Sequence, residues 1–135
     1  MISSILVDTS VFIDLFKGKD TQQTSILLEL ESNEKPYSIP MICAQEVLQG
    51  AKTKSDWKRL WAFFKSQDLV TTRDPLNFHY SSAKIYYDCR REGITIRSSI
   101  DCMIAQLALE YGASLLCSDK DYKNINKIRS KLRLL

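Results

Sequence analysis

Short apolar runs alternate with stretches of helical periodicity along this chain. Ile5, Leu6 and Val7 form a branched apolar run that is typical of a buried strand. Apolar residues at helical spacing follow this run directly, and the same alternation recurs to the end of the sequence. We expect further short strands at positions 37–39, 69–71, 113–117 and 132–134. This alternation predicts a parallel sheet that is covered by helices on both of its faces.

Turn-forming residues and helix caps set the limits of the predicted helices. Gly18, Pro36, Gly93 and Gly112 stand where a helical pattern stops. The predicted helices cover positions 10–16, 21–32, 41–51, 53–66, 76–92 and 98–111, and a last short helix begins near 118. Residues 94–96 are expected to be extended. No linker, repeat or low-complexity segment breaks this order, so we expect one domain over residues 1–135.

The composition is that of an ordinary globular protein and argues against a membrane-spanning, zinc-binding or disulfide-bonded one. Hydrophobic residues make up 44% and charged residues 26% of the chain, as in ordinary globular proteins. The net charge of +3 is compatible with a polyanionic partner but is no evidence for one. The sequence has no signal peptide and no apolar run long enough to cross a membrane, which predicts a cytoplasmic protein. Four cysteines without a Cys-x-x-Cys pair favour buried thiols over a zinc site or disulfides.

Four acidic residues occupy positions where strands end or helices begin. Asp8 follows the first strand, Asp101 lies in the first turn of a helix, and Asp119 follows the strand that ends at Cys117. Glu46 lies in the helix after the second strand. Each of the first three acids could be a helix cap and nothing more, and Glu46 could be a solvated helix residue. Because the carboxyl ends of parallel strands share one edge of a sheet, we expect the four to converge there.

Converging carboxylates require a cation. Two carboxylates about 4 Å apart repel each other by about 4 kcal/mol at an effective dielectric constant of about 20. Oxygen-only ligation suits Mg²⁺ or Mn²⁺, which activate water and stabilise charge in phosphoryl transfer. The only histidine, His79, is expected to be structural, and a single histidine makes a Ser–His–Asp triad difficult to build.

Three segments resemble PIN-domain ribonucleases, in particular the VapC-type toxins of toxin–antitoxin modules. These segments are residues 6–14 (LVDTSVFID), 96–105 (IRSSIDCMIA) and 115–122 (LLCSDKDY). The resemblance covers the whole chain in the order and spacing of its elements. One departure is Tyr122, which stands where the family usually has phenylalanine, and a second is that the family's fourth acid varies. The resemblance leaves open whether Asp119 or Asp121 is the fourth acid, and we favour Asp119.

The resemblance implies a three-layer α/β/α sandwich with a twisted parallel sheet and a metal-dependent endoribonuclease activity. Asp8 and Asp101 would ligate Mg²⁺ or Mn²⁺ directly, while Glu46 and Asp119 would bind a second ion or hold waters. Ser10, with Asp121 and Arg97, would be accessory to the site. Family members cleave RNA, often tRNA or rRNA, and dimerise. A cognate antitoxin fills their groove and blocks them, which implies a heterotetramer or a larger complex.

Basic and aromatic residues outside the acidic set suggest contacts with partners. Arg97 precedes the Asp101 segment, and Arg90 and Arg91 end the long helix, so these three are candidates for binding RNA phosphates. A solvated helix end explains the pair Arg90 and Arg91 equally well. Trp57 and Trp61 are spaced for one helix face, and they belong either to the core or to a groove for an antitoxin helix.

Other functions remain open at the level of the sequence. A PIN nuclease of RNA maturation would carry the same acids without an antitoxin. A non-catalytic module that binds metal or phosphate would use the acids only as ligands or caps. An aspartate-based phosphatase is disfavoured because Ser10 stands where that class needs a second acid, two residues after Asp8. A receiver domain is disfavoured because no second acid neighbours Asp8.

Overall fold

A computed structural model describes residues 3–135, so the first two residues of the predicted domain lie outside the described residues. The strands are β1 (Ile5–Val7), β2 (Ile39–Pro40), β3 (Leu69–Val70), β4 (Ser114–Leu116) and β5 (Arg133–Leu134). The helices are α1 (Thr9–Phe16), α2 (Gln22–Ser32), α3 (Met41–Gln49), α4 (Lys54–Lys65), α5 (Pro75–Arg91), α6 (Ser99–Tyr111) and α7 (Asp121–Ile128). The chain folds as the predicted three-layer α/β/α arrangement around a parallel sheet.

The first strand lies at the centre of the sheet. β1 pairs in parallel with β4, and β4 pairs in parallel with β5. On the other side, a parallel bridge joins Leu6 to Ser38, just before β2, and β2 pairs in parallel with β3. The order across the sheet is therefore β3, β2, β1, β4, β5. Asp8 and Cys117 consequently follow neighbouring strands at the same edge, where the sequence places the candidate site.

Local capping explains where most helices begin. Thr21 and Thr24 form a reciprocal capping box at α2. Thr53 caps α4, while the Asp74 side chain caps α5 ahead of Pro75. Ser98 caps α6 through a bond from the Ile100 N–H, and the Asp101 side chain forms no reciprocal capping bond to Ser98. The Asp101 side chain is thereby available for other contacts.

Several predicted boundaries differ from the structure. Pro40 belongs to β2, whereas the predicted strand covers positions 37–39, and α3 ends at Gln49 instead of position 51. Residues 94–96 form no regular strand, and α7 begins at Asp121 rather than near Ser118. On α4 the buried residue is Phe64, while Trp57 and Trp61 are about half exposed. The two tryptophans therefore do not belong to the core.

The interior agrees with the predicted apolar runs. Leu6, Val7, Leu115 and Leu116 of the central strands are fully buried. All four cysteines are buried and free, as the sequence suggested. Within residues 3–135, no helix combines the length and the apolar character that crossing a membrane requires.

Candidate metal centre

Asp8 lies at the carboxyl end of the central strand and is 3% exposed. Its Oδ2 accepts hydrogen bonds from the N–H of Ser10 at 3.1 Å and from the Ser10 hydroxyl at 2.5 Å. The Ser10 hydroxyl in turn accepts from the N–H of Ser118 at 3.0 Å, which ties the ends of β1 and β4 together. Asp8 is therefore the cap of α1 and a buried carboxylate at the sheet edge at the same time.

The hydroxyl of Tyr122 lies between Asp8 and Asp101. It is 2.9 Å from Asp8 Oδ1 and 3.3 Å from Asp101 Oδ1. A phenol has one hydrogen, so it donates to one carboxylate at a time, and the shorter contact is the one to Asp8. Tyr122 is fully buried in α7, so this helix brings the ends of β1 and α6 into one site.

Three aspartates form what we call the acidic cluster: Asp101, Asp119 and Asp121. One carboxylate oxygen of each lies within 4.8 Å of the other two. The N–H of Asp121 donates to Asp119 Oδ1 at 2.9 Å, so the turn before α7 holds these two side chains together. Asp121 is 2% exposed, while Asp101 and Asp119 are half-buried. The sequence left Asp119 and Asp121 as alternatives, and the structure places both beside Asp101.

Arg97 supplies positive charge to the acidic cluster. Its guanidinium donates to Asp119 Oδ1 at 2.8 Å, and its Nε lies 3.5 Å from Asp121 Oδ2. The backbone N–H of Arg97 also donates to Asp121 Oδ2, at 3.2 Å. The charges of Asp119 and Asp121 raise the pKa of Arg97. The residue that the sequence proposed as a phosphate ligand is therefore also a partner of two acids.

Glu46 lies outside the acidic cluster but close enough to Asp8 to be affected by its charge. The Thr9 hydroxyl donates to Glu46 Oε1 at 3.1 Å. Burial raises the pKa of Glu46, the bond from Thr9 opposes this shift, and the negative charge of Asp8 adds to it. Of the four acids predicted to converge, Asp101 and Asp119 are in one cluster, Asp8 is joined to it through Tyr122, and Glu46 is at the margin.

Burial and mutual repulsion make the protonated forms of these acids more stable. Burial raises the pKa of Asp8, although hydrogen bonds from Ser10 and Tyr122 oppose the shift. Burial and the charges of Asp8, Asp119 and Asp121 raise the pKa of Asp101 to about 7. A divalent cation would relieve this repulsion. The donors around Asp101 are carboxylate oxygens, which are the ligands of a hard ion such as Mg²⁺ or Mn²⁺, so these residues fit such an ion.

Arg90 and Arg91, two of the predicted RNA-binding residues, contact different tyrosines. The Arg90 guanidinium is 5.5 Å from the centre of the Tyr86 ring. Arg91 donates to the Tyr87 hydroxyl at 3.2 Å.

From the sequence, Tyr122 was noted only as a departure from a family pattern, and its position between two acids was missed. Its place directly after Asp121 is the signal that could have found it, because both lie in the first turn of a helix beside the site.

The chain matches a family model and curated relatives over most of its length. The model of the PIN domain matches residues 5–128. VapC ribonuclease Mb1587 of Mycobacterium bovis is 32% identical over 126 residues, which are 92% of this chain and 92% of the relative. Ribonuclease VapC11 of Mycobacterium tuberculosis matches with the same identity and coverage.

Solved structures share the fold at low sequence identity. VapBC2 from Rickettsia felis, bound to a DNA fragment from the promoter, contains a chain with a TM-score of 0.73 and 18% identity. That match covers 100% of this chain and 98% of the other. VapBC-1 from nontypeable Haemophilus influenzae contains a chain with a TM-score of 0.72 and 18% identity, covering 100% and 97% of the two chains. At this identity the likeness concerns the fold.

Proposed function

The chain belongs to the PIN-domain family, with VapC ribonucleases among its relatives, and on that premise we propose that it is a metal-dependent endoribonuclease. In this proposal it is the toxin of a type II toxin–antitoxin module. The observation that carries the proposal is the acidic cluster at the carboxyl edge of the sheet, joined through Tyr122 to the buried Asp8. Isolated helix caps would have no reason to share one buried hydroxyl.

Each acidic residue of the site has its own role in the proposed reaction. Asp8 and Asp101 would hold Mg²⁺ or Mn²⁺ directly, and Asp119, Asp121 and Glu46 would hold a second ion or orient waters. When bound, the ion supplies Lewis-acid activation of water and offsets the negative charge that develops on the phosphate. Ser10 holds the Asp8 carboxylate in place through two hydrogen bonds. Arg97 supplies a cation at the edge of the site, where an RNA phosphate would approach.

Substitution of Asp8 tests the nuclease proposal. We expect Asp8→Asn to reduce the cleavage of single-stranded RNA by about a hundredfold or more, since a metal ligand is worth several kcal/mol in the transition state. EDTA should abolish the cleavage by the wild-type protein, and Mn²⁺ should restore it. Asp14→Asn is the matched control, because Asp14 lies in the same helix and pairs with Lys19 at 3.8 Å. Undiminished cleavage by Asp8→Asn, or full activity in EDTA, contradicts the proposal.

An apolar cleft supports the proposed antitoxin partner. The cleft has a volume of about 710 Å³ and lies between α1, α3 and α4, with Phe16, Leu60 and Phe63 on its walls and Glu46 at one end. Phe16 is 52% exposed, which is unusual for so large an apolar side chain. An amphipathic antitoxin helix would bury this surface, and a segment reaching Glu46 would cover the site.

The cleft can be tested separately from catalysis. Phe16→Asp is expected to weaken copurification with the antitoxin of the same operon while RNA cleavage is retained. Leu28→Asp is the matched control, because Leu28 is also 52% exposed but does not line the cleft. Equal antitoxin binding by both variants would exclude this cleft as the interface.

Three further parts of the proposal concern the whole chain. We take residues 1–135 as one nuclease domain that forms a homodimer, and a heterotetramer or a larger complex with the antitoxin. tRNA or rRNA is the proposed substrate class. Four free cysteines suit the reducing cytoplasm, which is the proposed location.

A further inference from the structure

A second cavity lies beside the candidate metal centre, between α5 and the first part of α6. Its volume is about 670 Å³. We call it the aromatic cavity. Its walls include His79, Tyr86, Tyr87, Arg90, Arg97 and Ser99. Arg97 lines this wall and also contacts the acidic cluster, because its guanidinium donates to Asp119 at 2.8 Å. The aromatic cavity therefore opens directly beside the site where cleavage is proposed.

The walls of the aromatic cavity combine aromatic rings with positive charge. The Arg90 guanidinium lies 5.5 Å from the centre of the half-buried Tyr86 ring, within the range of a cation–π contact. Tyr87 is 46% exposed. Among the described residues that line this cavity, none carries a carboxylate. The nearest acidic residue of the same helix turn, Asp88, is engaged elsewhere, with Lys84 at 2.8 Å and Arg129 at 2.7 Å.

The positive charge on the walls of the aromatic cavity would offset the repulsion between the acidic cluster and the RNA. The acidic cluster repels the phosphates of RNA, so a nuclease of this kind needs cations beside the acids to hold the substrate. Aromatic and guanidinium planes bind unpaired bases by stacking, and they do so with little dependence on sequence. A base within a duplex stack presents no free face to such planes.

We propose that the aromatic cavity is a substrate subsite, in which an unpaired base of the RNA stacks on Tyr86 and Arg90. The adjacent phosphate of the same strand contacts Arg97, next to the acidic cluster. The inference rests on the proposed ribonuclease function and adds to it a binding subsite for the base next to the cleavage site. Tyr86 and Arg90 are binding residues in this scheme and are not members of the acidic cluster.

The neighbouring Arg91 provides a matched control. Arg90 and Arg91 are adjacent, exposed and at the same helix end, so replacing either by glutamine removes the same charge. Arg91 does not line the aromatic cavity and instead lines a separate surface cavity together with Asp88 and Glu92. A difference between the two variants therefore reports the aromatic cavity and not the net charge of the helix.

The test measures binding of a short fluorescent single-stranded RNA by anisotropy, in EDTA so that no cleavage occurs. We expect Arg90→Gln and Tyr86→Leu each to weaken binding by about tenfold, and Arg91→Gln by less than about twofold. Tyr86→Phe keeps the ring and is expected to bind like the wild type. Tyr86→Leu should leave the salt dependence of binding unchanged, because Tyr86 contacts a base and no phosphate in this scheme.

The outcomes separate this inference from the proposed function. If the wild type neither binds nor cleaves RNA, the proposed function fails. If the wild type cleaves RNA but Arg90→Gln and Tyr86→Leu bind it with wild-type affinity, the subsite alone is overturned. If the variants change the oligomeric state in sedimentation and leave RNA affinity unchanged, a second copy of the chain covers this face and the inference is wrong. Should Tyr86→Leu fail to fold, Arg90→Gln together with an RNA that carries one abasic position decides the question.

Discussion

Tyr122 is the residue whose single hydroxyl holds two parts of the site together. It is fully buried, donates to Asp8 at 2.9 Å and lies 3.3 Å from Asp101. Burial and the negative charges of Asp8 and Asp101 raise the pKa of Tyr122 well above its usual value, so the phenol keeps its proton. A phenylalanine at this position would fill the same space but leave the Asp8 oxygen without its short hydrogen bond.

Tyr122→Phe should therefore lower the free energy of unfolding without changing the fold. We expect a loss of about 1–2 kcal/mol in urea unfolding with EDTA present, because a buried carboxylate loses a hydrogen-bond donor. Tyr87→Phe is the control, since the exposed Tyr87 hydroxyl only accepts a bond from Arg91. Its effect should stay below about 0.5 kcal/mol. Equal stability of Tyr122→Phe and wild type would contradict this role of the hydroxyl.

Asp101 makes the stability of the metal-free protein depend on pH. Its pKa is raised to about 7 in the folded protein, mainly by burial and then by the charges of Asp8, Asp119 and Asp121. In the unfolded chain it titrates near the ordinary value of 3.8. Between these two values the folded protein binds a proton that the unfolded chain has released. The stabilisation is therefore complete at low pH and is lost as the pH rises toward 7.

We predict that the melting temperature in EDTA falls between about pH 4 and about pH 7, through this group. Asp101→Asn should reduce that fall by a few degrees, since the amide does not titrate. A residual slope of the same sign is expected from Asp8, whose pKa burial also raises. Replacing the exposed Asp20 by asparagine should leave the wild-type slope unchanged. A melting temperature of the wild type that rises over this range would contradict the prediction.

At the level of elements, the sequence predicts those strands and helix starts that depend on residues nearby in the chain. The branched run before Asp8 forms β1, and Thr21 and Ser98 cap the helices that the sequence predicts to begin at positions 21 and 98. Residues 94–96 were expected to be extended but pair with no strand, because pairing depends on neighbours that are distant in the chain. The position of Glu46 outside the acidic cluster likewise depends on how α3 packs against distant parts of the chain.

The candidate site was predictable to the extent that strand ends determine it. Asp8 and Asp119 follow β1 and β4, and parallel pairing brings these two strands together. The contribution of Asp121 depends instead on the turn before α7, where its N–H bonds to Asp119 and its carboxylate meets the Arg97 N–H. Spacing in the sequence does not specify these contacts, so it could not decide between Asp119 and Asp121.

The end of α6 offers a test of an element boundary. Gly112 ends this helix with a positive φ of 64°, and a Cβ built at this position would meet nothing within 4 Å. The cost of Gly112→Ala is therefore conformational and not steric. We expect urea unfolding to show a loss of about 1 kcal/mol. Gly112→Asn should lose less, because asparagine tolerates the left-handed region better than alanine does. An alanine variant as stable as the wild type would contradict this explanation.

At the level of the whole molecule, the acidic residues connect distant parts of the chain. Asp8 follows β1 near one end of the sequence, Asp101 begins α6, and Asp121 begins α7 near the other end. In the absence of a metal, Arg97 and Tyr122 bridge these parts. An ion that binds several of these carboxylates would act only on the folded chain, since the unfolded chain does not bring them together.

We therefore predict that Mn²⁺ stabilises the folded protein in proportion to its occupancy of the site. A concentration of about 100 times the dissociation constant should raise the free energy of unfolding by about 2.7 kcal/mol. Asp101→Asn should remove most of this gain, whereas Asp14→Asn, outside the site, should keep it. NaCl at matched ionic strength controls for general screening. If Mn²⁺ stabilised Asp101→Asn as much as the wild type, the ion would be binding elsewhere, and the acidic cluster would be a structural network held by Arg97 and Tyr122.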